Sequence, residues 1–183
     1  MLRTEAKVAQ EEIVEMVWVG SFESLLSVLR RPRSVDAPFK IHTWVPTKLD
    51  LISPLVDWLM NLITAARCVQ GDEDFVELAL REALSNAMIH GNRVEASKLV
   101  HVHCCCDCSN GVSVIVSDQG QGFDPGRLPD PLAVESLSAE HGRGIHLMKL
   151  AMDEVCFERG GAEVHMRRKL GLDGEHARQH FAE

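Results

Sequence analysis

Three polar side chains recur at four-residue intervals in a segment whose pattern predicts a helix from about Asp74 to His90. They are Glu82, Asn86 and His90, and this spacing places them on one side of the helix in successive turns. An amide oxygen is a hard ligand that Mg²⁺ accepts, and a carboxylate one turn away can take up a proton. The three side chains are suited to lining a cleft, although a solvated helix face is the usual explanation of such spacing alone.

A second group of residues with possible chemistry ends an apolar segment at positions 112–117. The segment is followed by Asp118, Gly120, Gly122 and Phe123, in the pattern Asp-x-Gly-x-Gly-Phe. A carboxylate at the end of a strand can accept a hydrogen bond from the exocyclic amine of adenine, and glycines let the backbone approach the ring. Taken alone, the pattern is better explained as a tight turn between a strand and a loop.

The third group is Gly142-Arg143-Gly144, which is followed directly by a predicted helix that begins at Ile145. The first N–H groups of a helix have no partner within the helix, and glycine allows close approach to them. Together with the Arg143 cation they can bind phosphate oxygens. A Gly-x-Gly pattern before a helix is common, so it indicates little by itself.

Strands and helices must alternate around these groups to position them. The patterning predicts strands at 39–46, 98–106 and 112–117, helices that start at Ser53-Pro54, at Asp74 and at Ile145, and a hairpin at 154–170 around Gly160-Gly161. Ser53 and the pair of Asp74 with Glu77 are the expected helix caps. Residues 119–144 are rich in glycine and proline and predict a long loop, which in a compact domain is usually functional.

In their order and spacing, the three groups together resemble the ATP-binding superfamily of gyrase, heat-shock chaperones, histidine kinases and the MutL mismatch-repair protein. Within it, the segments 82–91 (EALSNAMIHG) and 142–148 (GRGIHLM) are most similar to the anti-sigma regulatory factors that are serine/threonine kinases. The resemblance covers about residues 40–170. It implies an α/β two-layer sandwich, in which helices cover one face of a mixed, mostly antiparallel sheet.

The resemblance also implies roles for the residues. Glu82 would be the general base that takes the proton of a serine or threonine on a small antagonist protein, and Asn86 would bind Mg²⁺. The residues expected to bind ATP are Asn86, His90, Asp118, Gly120, Gly122, Phe123, Gly142, Arg143, Gly144 and Ile145. A sigma factor or similar regulator is the expected binding partner, and a homodimer is left open. One departure is Ala162, where the family often has a threonine after the glycine.

Two alternative functions remain at this stage. One is a nucleotide-sensing module that binds ATP and transfers nothing, which would not require a base at Glu82. The other is the detached ATPase domain of a histidine kinase. That alternative is less attractive, because the chain has no histidine before His42 and no evident second helical hairpin that carries a phosphorylatable histidine.

Composition narrows the class of protein further. The net charge of −8 argues against a nucleic-acid partner, since phosphate neutralisation requires clustered Lys and Arg. No apolar run approaches the roughly 20 residues that span a bilayer, so we expect a cytoplasmic protein without membrane contact. The predicted division is a helical arm and linker at 1–38, an ATP-binding domain at 39–170 and a polar tail at 171–183. The arm either packs on the domain or contacts a partner.

Cysteines are concentrated in one predicted strand, with four of the six between Cys104 and Cys108. Adjacent strand residues point to opposite faces, so these cysteines cannot simply pair among themselves. We expect them to be small buried apolar residues. An alternative is a metal site, because His101, His103 and Cys105 share one strand face at intervals of about 6.5 Å.

Overall fold

The structure is a computed structural model that describes residues 38–107, 110–123 and 143–170, together with the backbone of residues 12–16. Its described strands form a single six-stranded sheet in the order β1-β2-β3-β4-β6-β5. The strands are β1 (Glu12–Met16), β2 (Phe39–Pro46), β3 (Leu99–Asp107), β4 (Gly111–Ser117), β5 (Glu154–Glu158) and β6 (Glu163–Arg168). The β1 strand is parallel to β2, whereas the other four pairings are antiparallel. The predicted mixed, mostly antiparallel sheet is confirmed.

Helices cover one face of this sheet. They are α1 (Ile52–Ala65), α2 (Glu73–Ser85) and α3 (Arg143–Ala151), and a π-helical segment, Asn86–Gly91, continues α2. The α2 helix packs against both α1 and α3 and lies over β4 and β6. Every second residue of β2, β3, β4 and β6 is buried beneath the helices, among them Ile41, Val102, Val114 and Met166. The two-layer α/β class is therefore confirmed, and no described helix is both long and apolar enough to cross a bilayer.

The other face of the sheet carries half-buried polar and aromatic side chains. The His42 ring stacks on that of His103 with centroids 4.1 Å apart, and Trp44 stacks on His101 at 4.5 Å. Stacking brings ring faces together and not the nitrogen lone pairs that would bind a metal. Among the described residues, His101, His103 and Cys105 accordingly do not gather their ligand atoms around a common point.

The predicted helix caps are wrong. A 3₁₀ turn, Leu49–Leu51, precedes α1, and the Ser53 hydroxyl accepts a hydrogen bond from Arg81 instead of capping the helix. The α2 helix starts at Glu73 without a side-chain cap. Glu77 pairs instead with Arg81 one turn later. In both cases the helix begins one residue before the expected cap; the Ser53 hydroxyl then bonds to a distant residue, whereas Glu77 pairs within its own helix.

One cysteine expectation also needs correction. Cys106 of β3 forms a disulfide with Cys68, which follows α1, and their Cα atoms are 6.0 Å apart. Both side chains are fully buried between the sheet and the helices. Cys104 fits the expectation, because it is buried as a free thiol. Alternation along β3 excludes pairing among neighbours in 104–108, but it carries no information about a cysteine on another element.

The predicted helical arm differs from the structure in its described part, since Glu12–Met16 is a strand. Pairing of this segment with the exposed edge of β2 outweighs the helical spacing that its apolar residues share with the rest of the arm. The remainder of residues 1–37 and the tail at 171–183 lie outside the described residues. The proposed division into arm, domain and tail therefore stays a prediction.

Candidate nucleotide-binding site

A cavity of about 180 Å³ lies between the end of α2, the start of α3 and the ends of β4 and β6. Its lining is mostly apolar, with a few convergent polar groups, as is usual for small-molecule sites. Six residues predicted from the sequence line this cavity: Asn86, His90, Asp118, Gly122, Phe123 and Ile145. The three separate motifs therefore meet around one space.

Asn86 is the first residue of the π-helical segment that continues α2. The wider turn is visible in the backbone, because the Asn92 N–H donates to the Ala87 carbonyl, five residues earlier, at 2.8 Å. Single π-helical turns inside helices are rare and often occur at functional sites. The turn brings Asn86, His90 and Gly91 onto the cavity wall.

Glu82 and Asn86 both face Gly144 in the first turn of α3. A Cβ atom at Gly144 would lie 2.5 Å from Glu82 Oε2 and 3.4 Å from Asn86 Nδ2. A side chain at position 144 would therefore displace the carboxylate. Glycine at this position allows a carboxylate, a carboxamide and the free N–H groups of a helix start to lie together.

Asp118 occupies another part of the cavity wall and is only 8% exposed. Its backbone N–H donates to the Ala162 carbonyl at 2.9 Å, and its Oδ1 accepts from the Gly120 N–H at 2.7 Å. Burial raises the pKa of this carboxyl, although the Gly120 hydrogen bond and the charges of Arg159 and Lys98 act in the opposite direction. Gly91 leaves room for the group, since a Cβ there would collide with the carboxylate.

Asn92 anchors the backbone beside Asp118 and was missed as a site residue. Its side chain is fully buried, donates to Thr47 Oγ1 at 2.8 Å and to the Leu99 carbonyl at 3.0 Å, and accepts from the Gln119 N–H at 2.8 Å. These bonds connect the end of the π-helical segment to β2, β3 and the residue after Asp118. An asparagine after a helix-ending glycine is visible in the sequence, but this local pattern indicates only that the helix ends there.

The mouth of the cavity is formed by the loop after β4 and the β5–β6 turn. Phe123 donates its backbone N–H to the Gly160 carbonyl at 2.8 Å, and its ring meets that of Phe157 edge to face, with centroids 5.4 Å apart. Gly161 has a φ of +87°, and a Cβ there would collide with Phe123. The hairpin turn therefore holds the described end of the glycine-rich loop in place.

The other predicted residues have different positions. Gly120 donates its backbone N–H to the Asp118 carboxylate, and Arg143 is exposed at the start of α3. Gly142 lies outside the described residues. Several further residues of the cavity wall were not predicted as site residues from the sequence, namely Gly91, Val116, Met148, Phe157, Ala162, Glu163 and Val164. Most are ordinary core residues in pattern, so only the fold could assign them to the site.

Comparison with known proteins identifies the family. Residues 45–168, more than half of the chain, match the family described as histidine kinase-like ATPase domain. Anti-sigma F factors of Clostridium perfringens strains SM101 and ATCC 13124 are each 31% identical over 100 residues, which is 52% of this chain and 71% of each relative. The chain belongs to the anti-sigma regulatory factors of the histidine kinase-like ATPase superfamily. This anti-sigma regulatory factor matches a relative from a third strain, strain 13, to the same extent.

Membership of this ATPase family implies an ATP-binding domain, and the residues of the cavity fit such a ligand. The apolar walls can enclose a planar base beside the Asp118 carboxylate. Three glycines keep open the space that side chains would fill, at positions 91, 144 and 161. The Asn86 amide oxygen is a donor of the hard type that Mg²⁺ selects.

Proposed function

We propose that this anti-sigma regulatory factor is an ATP-dependent serine/threonine protein kinase that phosphorylates a small antagonist protein and sequesters a sigma factor or similar regulator. The observation that supports the proposal best is the position of Glu82. Its carboxylate faces Gly144 in the first turn of α3, beside Asn86, which lines the same cavity as Asp118, although Glu82 itself is not part of the cavity lining. A protein that only bound nucleotide would not require a base there.

In this proposal some residues bind ATP and Mg²⁺, and Glu82 accepts the proton. Bound ATP with Mg²⁺ supplies the γ-phosphoryl group and neutralises the charge that develops on it. Asn86 would hold the metal, and the free N–H groups at Arg143, Gly144 and Ile145 would bind phosphate oxygens. Glu82 would accept the proton of the attacking hydroxyl. Phosphoryl transfer depends chiefly on holding the reacting groups in position. Gly144 would contribute to this, because its missing side chain lets Glu82 and Asn86 lie close to the start of α3.

Recognition of the base would take place farther inside the cavity. Asp118 would accept a hydrogen bond from the exocyclic amine of adenine, because its Oδ2 has no hydrogen bond among the described residues. Phe123, Ile145 and Met148 would cover the ring and exclude water. Guanine has a carbonyl in place of that amine, so it would present an acceptor to a carboxylate.

The direct test incubates the full chain with γ-labelled ATP and candidate antagonist proteins. Label should appear on a serine or threonine of one antagonist, and Glu82→Gln should reduce the transfer about 10²- to 10⁴-fold while ATP binding is retained. Glu77→Gln on the same helix is the matched control and should transfer normally. If Glu82→Gln transferred the phosphoryl group as fast as Glu77→Gln, Glu82 would not be the general base. Sequestration is tested separately, by capture of a sigma factor from native lysate with and without ATP.

One observation favours a second candidate function, a nucleotide-sensing module without transfer. Ala162 lies in the cavity wall and provides no hydroxyl where the family often has threonine. Without that hydroxyl the cavity offers ATP one polar contact fewer, and a module of this kind would not use Glu82 as a base. ATP binding without transfer to any antagonist would support this candidate.

A further inference from the structure

The outer face of the β5–β6 hairpin carries an unusual set of side chains. Residues of this hairpin alternate strictly, so Val155, Phe157, Val164 and Met166 point towards the core. The opposite face carries three cross-strand pairs, which are Glu154 with Arg167, Cys156 with His165, and Glu158 with Glu163. The first pair has complementary charges. The second and third consist entirely of side chains that can bind metals.

The Glu158–Glu163 pair is unfavourable by itself. Directly opposed like charges destabilise an antiparallel pair, whereas opposite charges stabilise it. Glu163 relieves part of its charge through the Ser117 hydroxyl, which donates to Oε2 at 2.5 Å, and through Arg159, 3.7 Å from the same oxygen. The other oxygen, Oε1, lies 2.7 Å from His165 Nε2. A cation between the strands would neutralise both carboxylates.

The ligand atoms are already close together. One nitrogen of His165 and one oxygen each of Glu158 and Glu163 lie within 4.8 Å of one another. In a tetrahedral zinc site with bonds of about 2.1 Å, ligand atoms are about 3.4 Å apart. Small rotamer changes therefore suffice to bring the three atoms to bonding distance. Cys156 lies opposite His165 in register and is an exposed free thiol, but its Sγ does not lie within 4.8 Å of all three atoms, so its side chain would have to rotate towards them to provide the fourth ligand.

We propose that Glu158, Glu163, His165 and Cys156 form a zinc-binding site on the outer face of this hairpin. The donor set is nitrogen, thiolate sulfur and carboxylate oxygen, which suits a borderline-soft ion such as Zn²⁺ and not Mg²⁺, which prefers six oxygen ligands. Ser117 orients Glu163 in the manner of outer-shell partners in known metal sites. The Ser117 hydrogen bond and the nearby His165 lower the pKa of Glu163, and burial only partly offsets them.

The site has a structural consequence for the hairpin. The ion would connect β5, the edge strand, to β6 next to the turn that holds Phe123. Because zinc would bind the folded hairpin more tightly than the scattered cysteines and histidines of the unfolded chain, it should raise the melting temperature of the protein. This stabilisation requires no kinase activity, and it is measured without nucleotide because Glu163 also lines the nucleotide cavity.

The test uses equilibrium dialysis of the full chain against Zn²⁺, without nucleotide and with excess Mg²⁺. We expect one strongly bound zinc per chain, a higher melting temperature with zinc, and at least about a tenfold loss of affinity in His165→Gln. His103→Gln is the matched control, since His103 lies on the same sheet face but outside the four residues. It should bind zinc like the unchanged protein.

Cobalt substitution provides a second readout that does not depend on stability. Co²⁺ bound at the site should show near-ultraviolet thiolate-to-metal absorption that disappears in Cys156→Ser while absorption from the remaining ligands persists. Equal zinc affinity in His165→Gln and the unchanged protein would overturn the proposal. If His103→Gln lost zinc binding while His165→Gln kept it, the proposal would also be overturned, and the stacked histidines would be the zinc site.

Discussion

Gly144 in the first turn of α3 is in direct contact range of the Glu82 carboxylate in α2, so that a single Cβ atom at position 144 would lie 2.5 Å from Glu82 Oε2. The two residues are distant in sequence, yet the position of the Glu82 carboxylate leaves no room for a side chain at position 144. The proposed base can approach the proposed phosphate-binding helix start only because the facing residue has no side chain.

This relationship predicts that Gly144→Ala separates stability from ligand binding. Alanine is favoured over glycine within a helix by about 1 kcal/mol, so the melting temperature should be kept or raised. ATP affinity should nevertheless fall at least about tenfold, because the added methyl group would fill the space beside Asn86 at the helix start that we propose to bind phosphate. Calorimetry with Mg-ATP measures the loss. Lys149→Ala, on the exposed side of the same helix, is the control and should leave affinity unchanged.

A second prediction concerns Asn92, which bonds to the residue after Asp118 and does not line the cavity. Asn92→Ala removes three hydrogen bonds and should reduce the preference for ATP over purine riboside triphosphate, which lacks the exocyclic amine. Thr47→Val is the milder control, because it removes one acceptor for Asn92 and the hydroxyl's own bond to the Lys98 carbonyl but retains the bond from Gln119 to Asn92. Fluorescence competition gives both affinities. An unchanged ratio in a folded Asn92→Ala protein would contradict the positioning role.

A third prediction tests the departure at Ala162. This residue is buried in the cavity wall, and its carbonyl accepts from the Asp118 N–H. Ala162→Thr should increase ATP affinity about fivefold relative to Ala162→Val, since a hydrogen bond contributes about 1 kcal/mol and the two side chains have the same shape. Comparison of the two variants cancels the cost of added volume. Equal affinities would mean that the hydroxyl has no partner there.

A fourth prediction concerns acid. Desolvation lowers the pKa of His101 and of His103, and the neighbouring His42 lowers both further. Lys40, His165 and His101 also lower the pKa of His103, while Glu163 acts against the shift in His101. In the unfolded chain both histidines take up protons near their ordinary pKa of about 6.5. The folded protein does so only at lower pH.

The sign of the effect on stability follows from this difference. Above neutral pH both states are uncharged at these positions, and the histidines do not affect the free energy of unfolding. As the pH falls below about 6.5, the unfolded state binds more protons and is favoured. Urea unfolding at a series of pH values should show this loss of stability, and the double variant His101→Gln with His103→Gln should show less of it.

The main motifs of the site could be predicted because they are local in sequence. The spacing of Glu82, Asn86 and His90, the glycines after a strand and the glycines before a helix each constrain the backbone directly. Their order then indicated the fold. Asn92 was not recognised because its partners, Thr47 and Gln119, are 45 and 27 residues away, and no local pattern reports such bonds.

The same limit explains the other errors. Local rules place helix caps at Ser53 and Asp74, but each helix begins one residue earlier. The Ser53 hydroxyl bonds instead to the distant Arg81. The disulfide depends on how the loop after α1 lies over β3, which alternation within the strand cannot show. Residues 12–16 have a spacing that suits a helix, and only the open edge of β2 explains why they form a strand.

The π-helical segment Asn86–Gly91 behaves as a one-residue insertion in an otherwise regular helix. Deleting the exposed Ile89 would restore α-helical winding, and each residue from His90 onwards would then rotate by about 100° relative to Asn86. Asn92 would turn away from Thr47 and Leu99, and Gly91 would no longer face Asp118. The number of residues in this turn, and not only their identity, therefore sets how Asn86 lies relative to the contact between Gly91 and Asp118.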